Sequence, residues 1–309
     1  MIRCPHGLGP AVIAALLLPI PAHAATDACS VITRNFEASR ADLATPQLSA
    51  MLFSAADSDC PALVPRLIAA GASLATRDRT GGTALTHAAR SGRVDMVRLL
   101  VASGADVNQR DIGGATPLSI AIETSHGPAA RALIDAGADV ELAGHAGVTP
   151  LIAAAYNGNL VVLDALLGHK ADPATTDGTG KPAILYAAAR GFASIVNRLL
   201  NAGIDVNAIY ANGLTVLSWA AGHSDDVPTA DGAALVAQLL DRGAKPNLAD
   251  DRGQTPLMIA TAMDHADVVD ILLAHGADRM VHDAQGKTAA DLAQSDVLRA
   301  KLLAQSPAR

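Results

Sequence analysis

Residues 104–118, GADVNQRDIGGATPL, decide the fold, because variants of this stretch return at a fixed spacing along most of the chain. The Thr of its Thr-Pro-Leu segment recurs every 33 residues, with one step of 40, and its Gly-Ala-Asp turn recurs with the same steps. Two landmarks that share one period predict an array of repeated structural units. The Thr position falls at Thr83, Thr116, Thr149, Pro182, Thr215, Thr255 and Thr288.

The residue pattern inside each unit predicts two short helices joined by turns. Thr116 offers a hydroxyl N-cap, and Pro117 then occupies the first helical position, where its missing N–H costs nothing. A glycine such as Gly158 is typical of the end of a first helix, and the Gly-Ala-Asp-Val-Asn turn at 104–108 combines a left-handed glycine cap with side-chain-to-backbone hydrogen bonds. Since no segment alternates with period 2, we predict an all-α fold.

These motifs resemble ankyrin repeats. The resemblance rests on residues 104–108 and 114–118, on Gly253-Gln254-Thr255-Pro256-Leu257 and on Gly276-Ala277-Asp278. It covers about residues 47–303 and implies an ankyrin-repeat solenoid of helix-turn-helix units with short turn tips.

The chain departs from the family pattern in a consistent way. The family's usual His after Thr-Pro-Leu is replaced throughout, Pro182-Ala183 stands where Thr-Pro is expected, and Lys170 takes a glycine position. Because neighbouring units share stability along an array, we expect weaker single turns and an intact fold. The residues in place of His are Thr86, Ser119, Ile152, Ser218 and Met258.

The sequence predicts four parts. Residues 1–24 form a signal peptide, since Arg3 is followed by about ten apolar residues and an A-x-A ending at Ala24. Residues 25–46 form an N-terminal capping segment, residues 47–303 hold seven full units plus a shortened C-terminal unit, and residues 304–309 are a tail. A membrane anchor is the alternative for the first part, but Pro19 and Pro21 interrupt a span that needs about 20 apolar residues.

This organisation predicts a location outside the cytoplasm. Cleavage near Ala24 leaves a chain in the periplasm or secreted beyond it, and the short signal and Ala-rich composition are typical of bacteria. Cys29 and Cys60 then remain as an even pair, which predicts a disulfide in an oxidising compartment. Two buried free thiols are the alternative.

Composition and motifs argue against several function classes. A chain with 50% hydrophobic residues is too apolar for disorder, and a net charge of −7 excludes a nucleic-acid module held by its overall charge. The sequence has no H-E-x-x-H, G-x-S-x-G or phosphate-binding loop. A metal site at His265 and His275 with nearby aspartates is one interpretation, and solvated polar positions are the favoured one. We predict no enzyme activity, no catalytic residue, no metal and no cofactor.

The resemblance implies a binding surface on the concave face and the turn tips. Arg and Tyr are favoured where binding energy concentrates, and four arginines in the first two tips favour an acidic partner surface. Arginines that serve solubility alone are the alternative. Tyr186, Trp219 and His87 are interpreted as packing residues, and the insertion at 223–232 as a functional loop or a tolerated excursion. The candidates for partner binding are Arg77, Arg79, Arg90, Arg110, Tyr156, Asn157, Lys181, Arg190, Tyr210 and Arg252.

The function that follows is a monomeric, non-catalytic scaffold that binds another protein in the bacterial cell envelope, with no nucleic acid and no membrane span. Resemblance to bacterial ankyrin proteins implies protection or regulation of that partner, including stress defence and toxin neutralisation. An enzyme or ligand carrier with a site between repeat tips is the alternative, and secretion to act on a host protein leaves the same sequence signature.

Overall fold

The structure is a computed structural model, and it describes residues 22–39, 43–224 and 227–304. Within these ranges the regular structure is helical, apart from one isolated antiparallel bridge between Thr176 and Pro182. The predicted all-α fold is confirmed. None of the helices in this part of the chain is long and apolar enough to span a membrane. The predicted signal peptide and the predicted tail lie almost wholly outside the described residues.

The first of two compact units comprises residues 1–73. In its described part, helix α1 (Ala22–Ser39) packs on α2 (Thr45–Asp57), which packs on α3 (Val64–Ala69). Phe36, in α1, is fully buried within this unit. Its aromatic ring supplies a large part of the apolar surface that the unit buries.

The two cysteines of this unit lie together. The Sγ atoms of Cys29, in α1, and Cys60, after α2, are at bonding distance, with their Cα atoms 5.5 Å apart. This is the geometry of a disulfide. On the same unit, Arg66 pairs with the carboxylate of Glu37. The geometry allows the predicted pairing of the two cysteines, and their oxidation in the native protein stays a prediction.

The second unit, residues 74–309, repeats a pair of short helices. The first helices pack on one another in chain order and form what we call the first-helix row, and most second helices form a row behind it. The first helices are α4 (Ala84–Arg90), α6 (Pro117–Glu123), α8 (Pro150–Tyr156), α10 (Ala183–Ala189), α12 (Val216–Ala221), α14 (Pro256–Ala262) and α16 (Ala289–Leu292). The second helices are α5 (Val94–Ala102), α7 (Gly127–Asp135), α9 (Leu160–Gly168), α11 (Ala193–Asn201), α13 (Thr229–Asp241), α15 (Ala266–Ala274) and α17 (Asp296–Leu303).

Small residues allow the first helices to approach closely. The alanine pairs at 88–89, 154–155 and 187–188 are fully buried between neighbouring helices. The second helices contribute leucines that are buried to the same degree, such as Leu100, Leu133 and Leu166. The core therefore consists of thin layers of Ala and Leu. Each buried leucine contributes about 1.5–3 kcal/mol of transfer free energy to its stability.

The threonine position caps the first helices as predicted. Thr116 Oγ1 accepts from the backbone N–H of Ser119 at 3.1 Å, and Ser119 Oγ accepts from the N–H of Thr116 at 2.9 Å. This reciprocal pair is a capping box. Ser119, which stands where the family usually has His, therefore has a structural role. The same box joins Thr83 to Thr86 and Thr215 to Ser218.

The two expected weak points are visible. Pro182 has no hydroxyl, and α10 therefore begins without a side-chain cap. Lys170 replaces a turn glycine and adopts a φ of 68°, in the left-handed region that disfavours a side chain. Both residues belong to the same stretch between α9 and α10.

Aspartates shape most turn tips of this unit. The Oδ1 atom of each accepts hydrogen bonds from backbone N–H groups two or four residues later, which closes the tip. Gly144 and Tyr210 take the aspartate position in two tips, and single 3₁₀ turns at His145–Gly147 and Ala211–Gly213 form there instead. The tip aspartates are Asp78, Asp111, Asp177, Asp250 and Asp283.

The insertion lengthens one second helix. Helix α13 has 13 residues, whereas α11 has nine. Of the described insertion residues, Ser224 donates its N–H to the carbonyl of Ala189 at 3.0 Å, and Val227 is buried. The insertion therefore packs on the preceding repeat; Asp225 and Asp226 lie outside the described residues.

Candidate partner-binding surface

Three aromatic side chains lie along the first-helix row in successive repeats. The ring centre of Tyr156, at the end of α8, is 6.1 Å from that of Tyr186 in α10, which is 6.2 Å from that of Trp219 in α12. Both contacts are edge to face, with interplanar angles of 76° and 61°, an arrangement that aromatic quadrupoles favour. We call these three residues the aromatic row.

Two predicted basic residues lie against this row. The guanidinium of Arg190 is 5.0 Å from the ring centre of Tyr156, and the Nζ atom of Lys181 is 5.7 Å from that of Trp219. Cations at such distances are attracted to the ring. The structure therefore brings Tyr156, Lys181 and Arg190 into one patch, which joins three of the predicted binding residues.

A tip aspartate holds the middle ring of the row. The hydroxyl of Tyr186 donates to Oδ2 of Asp177, whose Oδ1 closes the turn tip before α10. Burial raises the pKa of Tyr186, and the Asp177 carboxylate adds to this, so that the pKa reaches about 12. Burial alone also raises the pKa of Asp177, but hydrogen bonds from Tyr186 and Thr179 outweigh it and lower the pKa. The row is thus anchored by a charged hydrogen bond.

An apolar pocket opens beside Tyr156. It has a volume of about 380 Å³, and Tyr156 itself remains 48% exposed. We call it the Glu123 pocket, after the carboxylate at the end of α6. Burial raises the pKa of Glu123, and the nearby Asp111 raises it further. The residues that line it are Glu123, Val148, Ile152, Ala153, Tyr156, Asn157 and Tyr186.

Asn157 connects this pocket to the neighbouring repeat. Its Nδ2 atom donates to the carbonyl of Ile122 at 2.9 Å, across to the end of α6. This bond fixes the spacing between the two helix ends that carry Glu123 and Tyr156. The predicted binding residue Asn157 therefore has a structural contact of its own.

The four arginines predicted for the first tips divide into two groups by their contacts, and Arg90 is the last residue of α4 rather than part of a tip. Arg110 donates from Nε to the carbonyl of Gly114 at 2.8 Å and from Nη2 to the carbonyl of Ala143, so it bridges two tips. Arg77 lies against the side-chain amide of Gln109 in the next tip. The side chains of Arg79 and Arg90 are exposed, and neither guanidinium has a hydrogen bond or ion pair among the described residues.

Tyr210 and Arg252 lie in later tips. Burial raises the pKa of Tyr210, and Asp205 adds to the shift. Arg252 donates from Nε and Nη2 to Oδ2 of Asp250, at 2.9 and 2.6 Å. Neither residue makes a ring contact or hydrogen bond with the aromatic row within the described ranges.

The histidines considered for a metal site have other partners. The His265 ring stacks on that of His223, with centres 4.0 Å apart, and His275 lies 3.7 Å from the carboxylate of Asp241. In the part of the chain that the structure describes, no group of three or more His, Cys, Asp or Glu residues is placed to hold a metal ion.

Sequence reasoning missed two members of the surface, Tyr186 and Trp219. Tyr186 and Trp219 do pack against neighbours, as interpreted, but they also extend the aromatic row, and Tyr186 lines the pocket. Their signal was the recurrence of an aromatic residue at one repeat position in successive units. Glu123 has a signal of another kind, because it lies one repeat before Tyr156 and ends its first helix at the same repeat position. The sequence does not show that it shares a pocket with Tyr156 and Tyr186.

Comparisons with known proteins agree with this architecture. A family model described as "Ankyrin repeats (3 copies)" matches residues 52–144 and 151–230. A second model, described as "Ankyrin repeats (many copies)", matches residues 239–293. The human ASB11 ankyrin repeat domain aligns with a TM-score of 0.64 and 29% identity, over 72% of this chain and 99% of that domain.

Curated relatives match over shorter stretches. The ankyrin repeat-containing protein P1E11.10 of Schizosaccharomyces pombe is 39% identical over 18% of this chain and 26% of its own length. The potassium channel AKT2/3 of Arabidopsis thaliana is 36% identical over 20% of this chain and 8% of its own. The ankyrin repeat and LEM domain-containing protein 1 homolog of Caenorhabditis elegans is 43% identical over 20% and 9%. The chain thus spans about a quarter or less of the length of these relatives.

Proposed function

Because this chain belongs to the ankyrin repeat family, we propose that it is a non-catalytic scaffold that binds another protein on its aromatic row and turn tips, in the bacterial cell envelope. Ankyrin repeats generally mediate protein binding. The observation that carries the proposal is the aromatic row with Arg190 and Lys181 against it. Trp, Tyr and Arg are the residues most often found where the binding energy of an interface concentrates.

Arg79 and Arg90 support an acidic partner surface. Both are exposed, and their guanidinium groups have no intramolecular acceptor among the described residues. Exposed charges of this kind act mainly on the association rate. Arg110 and Arg252 contribute less to the proposed contact, since each already donates hydrogen bonds within the chain.

The envelope location rests on the sequence. Arg3, the apolar stretch from Ala11 and the A-x-A ending at Ala24 support export, and the Cys29–Cys60 geometry suits an oxidising compartment. We further propose that the exported chain works as a monomer and that it protects or regulates its partner.

The test captures the partner from envelope extract by cross-linking to the exported chain and then measures binding of the purified pair at two salt concentrations. Arg79→Gln together with Arg90→Gln should slow association and flatten its salt dependence, while dissociation stays near the parent rate. Arg98→Gln, on the second-helix row, is the control. Equal association rates for parent and double variant contradict the acidic contact, and a chain retained in the cytoplasm contradicts the location.

A further inference from the structure

The Glu123 pocket presents one charged group, the carboxylate of Glu123, together with further hydrogen-bond acceptors. The hydroxyl of Tyr186 donates its hydrogen bond to Asp177, which leaves its oxygen as an acceptor. Asn157 uses an amide N–H on the Ile122 carbonyl and retains its side-chain oxygen. A cationic ligand rich in donors suits this lining, and the Glu123 carboxylate repels an acidic one, although the Tyr156 hydroxyl and the second amide N–H of Asn157 are donors.

The remaining lining suits the stem of a long side chain. Val148, Ile152 and Ala153 supply apolar surface, and a volume of about 380 Å³ holds one long side chain with part of its backbone. Tyr156, which is 48% exposed, adds an aromatic surface on which the stem of such a side chain can pack. Lys and Arg combine an apolar stem with a charged, donor-rich head.

The state of Glu123 points the same way. Burial, and after it the like charge of Asp111, raises the pKa of Glu123, which means that its surroundings disfavour the ionised form. An incoming cation removes that penalty, because an opposite charge close to a carboxylate stabilises the ionised form. His145 lowers the pKa of Glu123, but by less than burial and Asp111 raise it.

We propose that the Glu123 pocket receives an arginine or lysine side chain of the partner, with its head group against Glu123 and its stem on Val148 and Ile152. This rests on the proposed function and names the anchor it uses. The partner then has one basic side chain that enters the pocket and acidic residues that face Arg79 and Arg90. Opposite charges at neighbouring repeats fix the register in which the partner docks.

The test uses capped pentapeptides that hold a central arginine, lysine, norleucine or glutamate between alanines. Each is titrated into the ¹⁵N-labelled exported chain and followed by amide chemical shifts. Arginine and lysine peptides should shift residues around Glu123, Val148–Asn157 and Tyr186, and should bind about tenfold more tightly than norleucine. The glutamate peptide should not bind.

Glu123→Gln separates charge from shape. The variant should bind the arginine peptide about tenfold more weakly and the norleucine peptide as the parent does. Asp267→Asn, an exposed carboxylate on α15, is the matched control and should bind like the parent. Failure of the arginine peptide to bind at millimolar concentration, equal affinity for norleucine, or no effect of Glu123→Gln overturns the proposal. If one of these results is found while Tyr156→Ala still weakens binding of the captured partner, the pocket assignment is wrong and the proposed scaffold function remains.

Discussion

The hydroxyl of Tyr186 and the carboxylate of Asp177 join the aromatic row to a turn tip. Tyr186 donates to Oδ2, while Oδ1 of the same aspartate accepts the backbone N–H of Thr179 at 2.8 Å. One carboxylate therefore fixes both the tip and the ring at the centre of the proposed surface. A side chain that is already ordered costs less to immobilise on binding.

Tyr186→Phe tests this link. The ring stays, but the hydrogen bond to a charged acceptor is lost, so the free energy of unfolding should fall by about 1.5–3 kcal/mol in denaturant titrations. In a spectrophotometric pH titration, the parent should contain a tyrosine that ionises near pH 12, and the variant should lack it. A variant with parental stability and an unchanged titration contradicts the link.

Asp78 should make the stability of the fold depend on pH. Burial alone raises its pKa, but hydrogen bonds from Thr80, Gly82 and His87 outweigh it and bring the pKa to about 2, against 3.8 for an ordinary Asp. Since the folded value is the lower one, the ionised carboxylate stabilises the fold above about pH 4, and this contribution is lost as the pH falls towards 2.

Asp78→Asn should therefore destabilise the protein at pH 7 by about 2 kcal/mol and reduce the loss of stability between pH 4 and pH 2. Chemical denaturation at several pH values measures both effects. Asp95→Asn, whose carboxylate is 86% exposed, is the control and should keep the parental profile. If the two variants had the same profile, the tip hydrogen bonds of Asp78 would not stabilise the fold.

The Cys29–Cys60 pair should stabilise the first unit. Closing a loop between residues 31 apart contributes about 3.5 kcal/mol in the chain-entropy model, so reductant should lower the melting temperature of the oxidised chain. The variant with Cys29→Ser and Cys60→Ser should have the melting temperature of the reduced parent, and reductant should not change it. Alkylation of both cysteines in native exported protein, before any reduction, contradicts the disulfide.

Local features of this fold could be predicted from the sequence. The Thr caps, the left-handed glycines and the tip hydrogen bonds depend on residues within a few positions of one another, and so a single repeat contains their signal. Arg110, one of the predicted binding residues, makes a contact that a single repeat does not contain. Its guanidinium reaches the carbonyl of Ala143, one repeat away, and this contact exists only once repeats stack.

The candidate site could be predicted only in part. Tyr156 and Asn157 followed from their repeat position, but the pocket needs Glu123, Tyr156 and Tyr186 from three successive first helices. Which side chains share a pocket depends on the offset between stacked helices, and the sequence period does not contain that offset. The pairing of Arg190 with Tyr156 depends on the same offset.

The most direct test of the proposed scaffold measures the dissociation rate of the captured partner from three forms of the chain. They are the parent, Tyr156→Ala in the aromatic row, and Val161→Ala on α9, whose side chain is 72% exposed. If the first-helix row is the binding face, Tyr156→Ala should speed dissociation about tenfold or more, as expected for an aromatic anchor, and Val161→Ala should leave it unchanged. Faster dissociation from Val161→Ala, with Tyr156→Ala behaving as the parent, would place the partner on the opposite face and contradict the account.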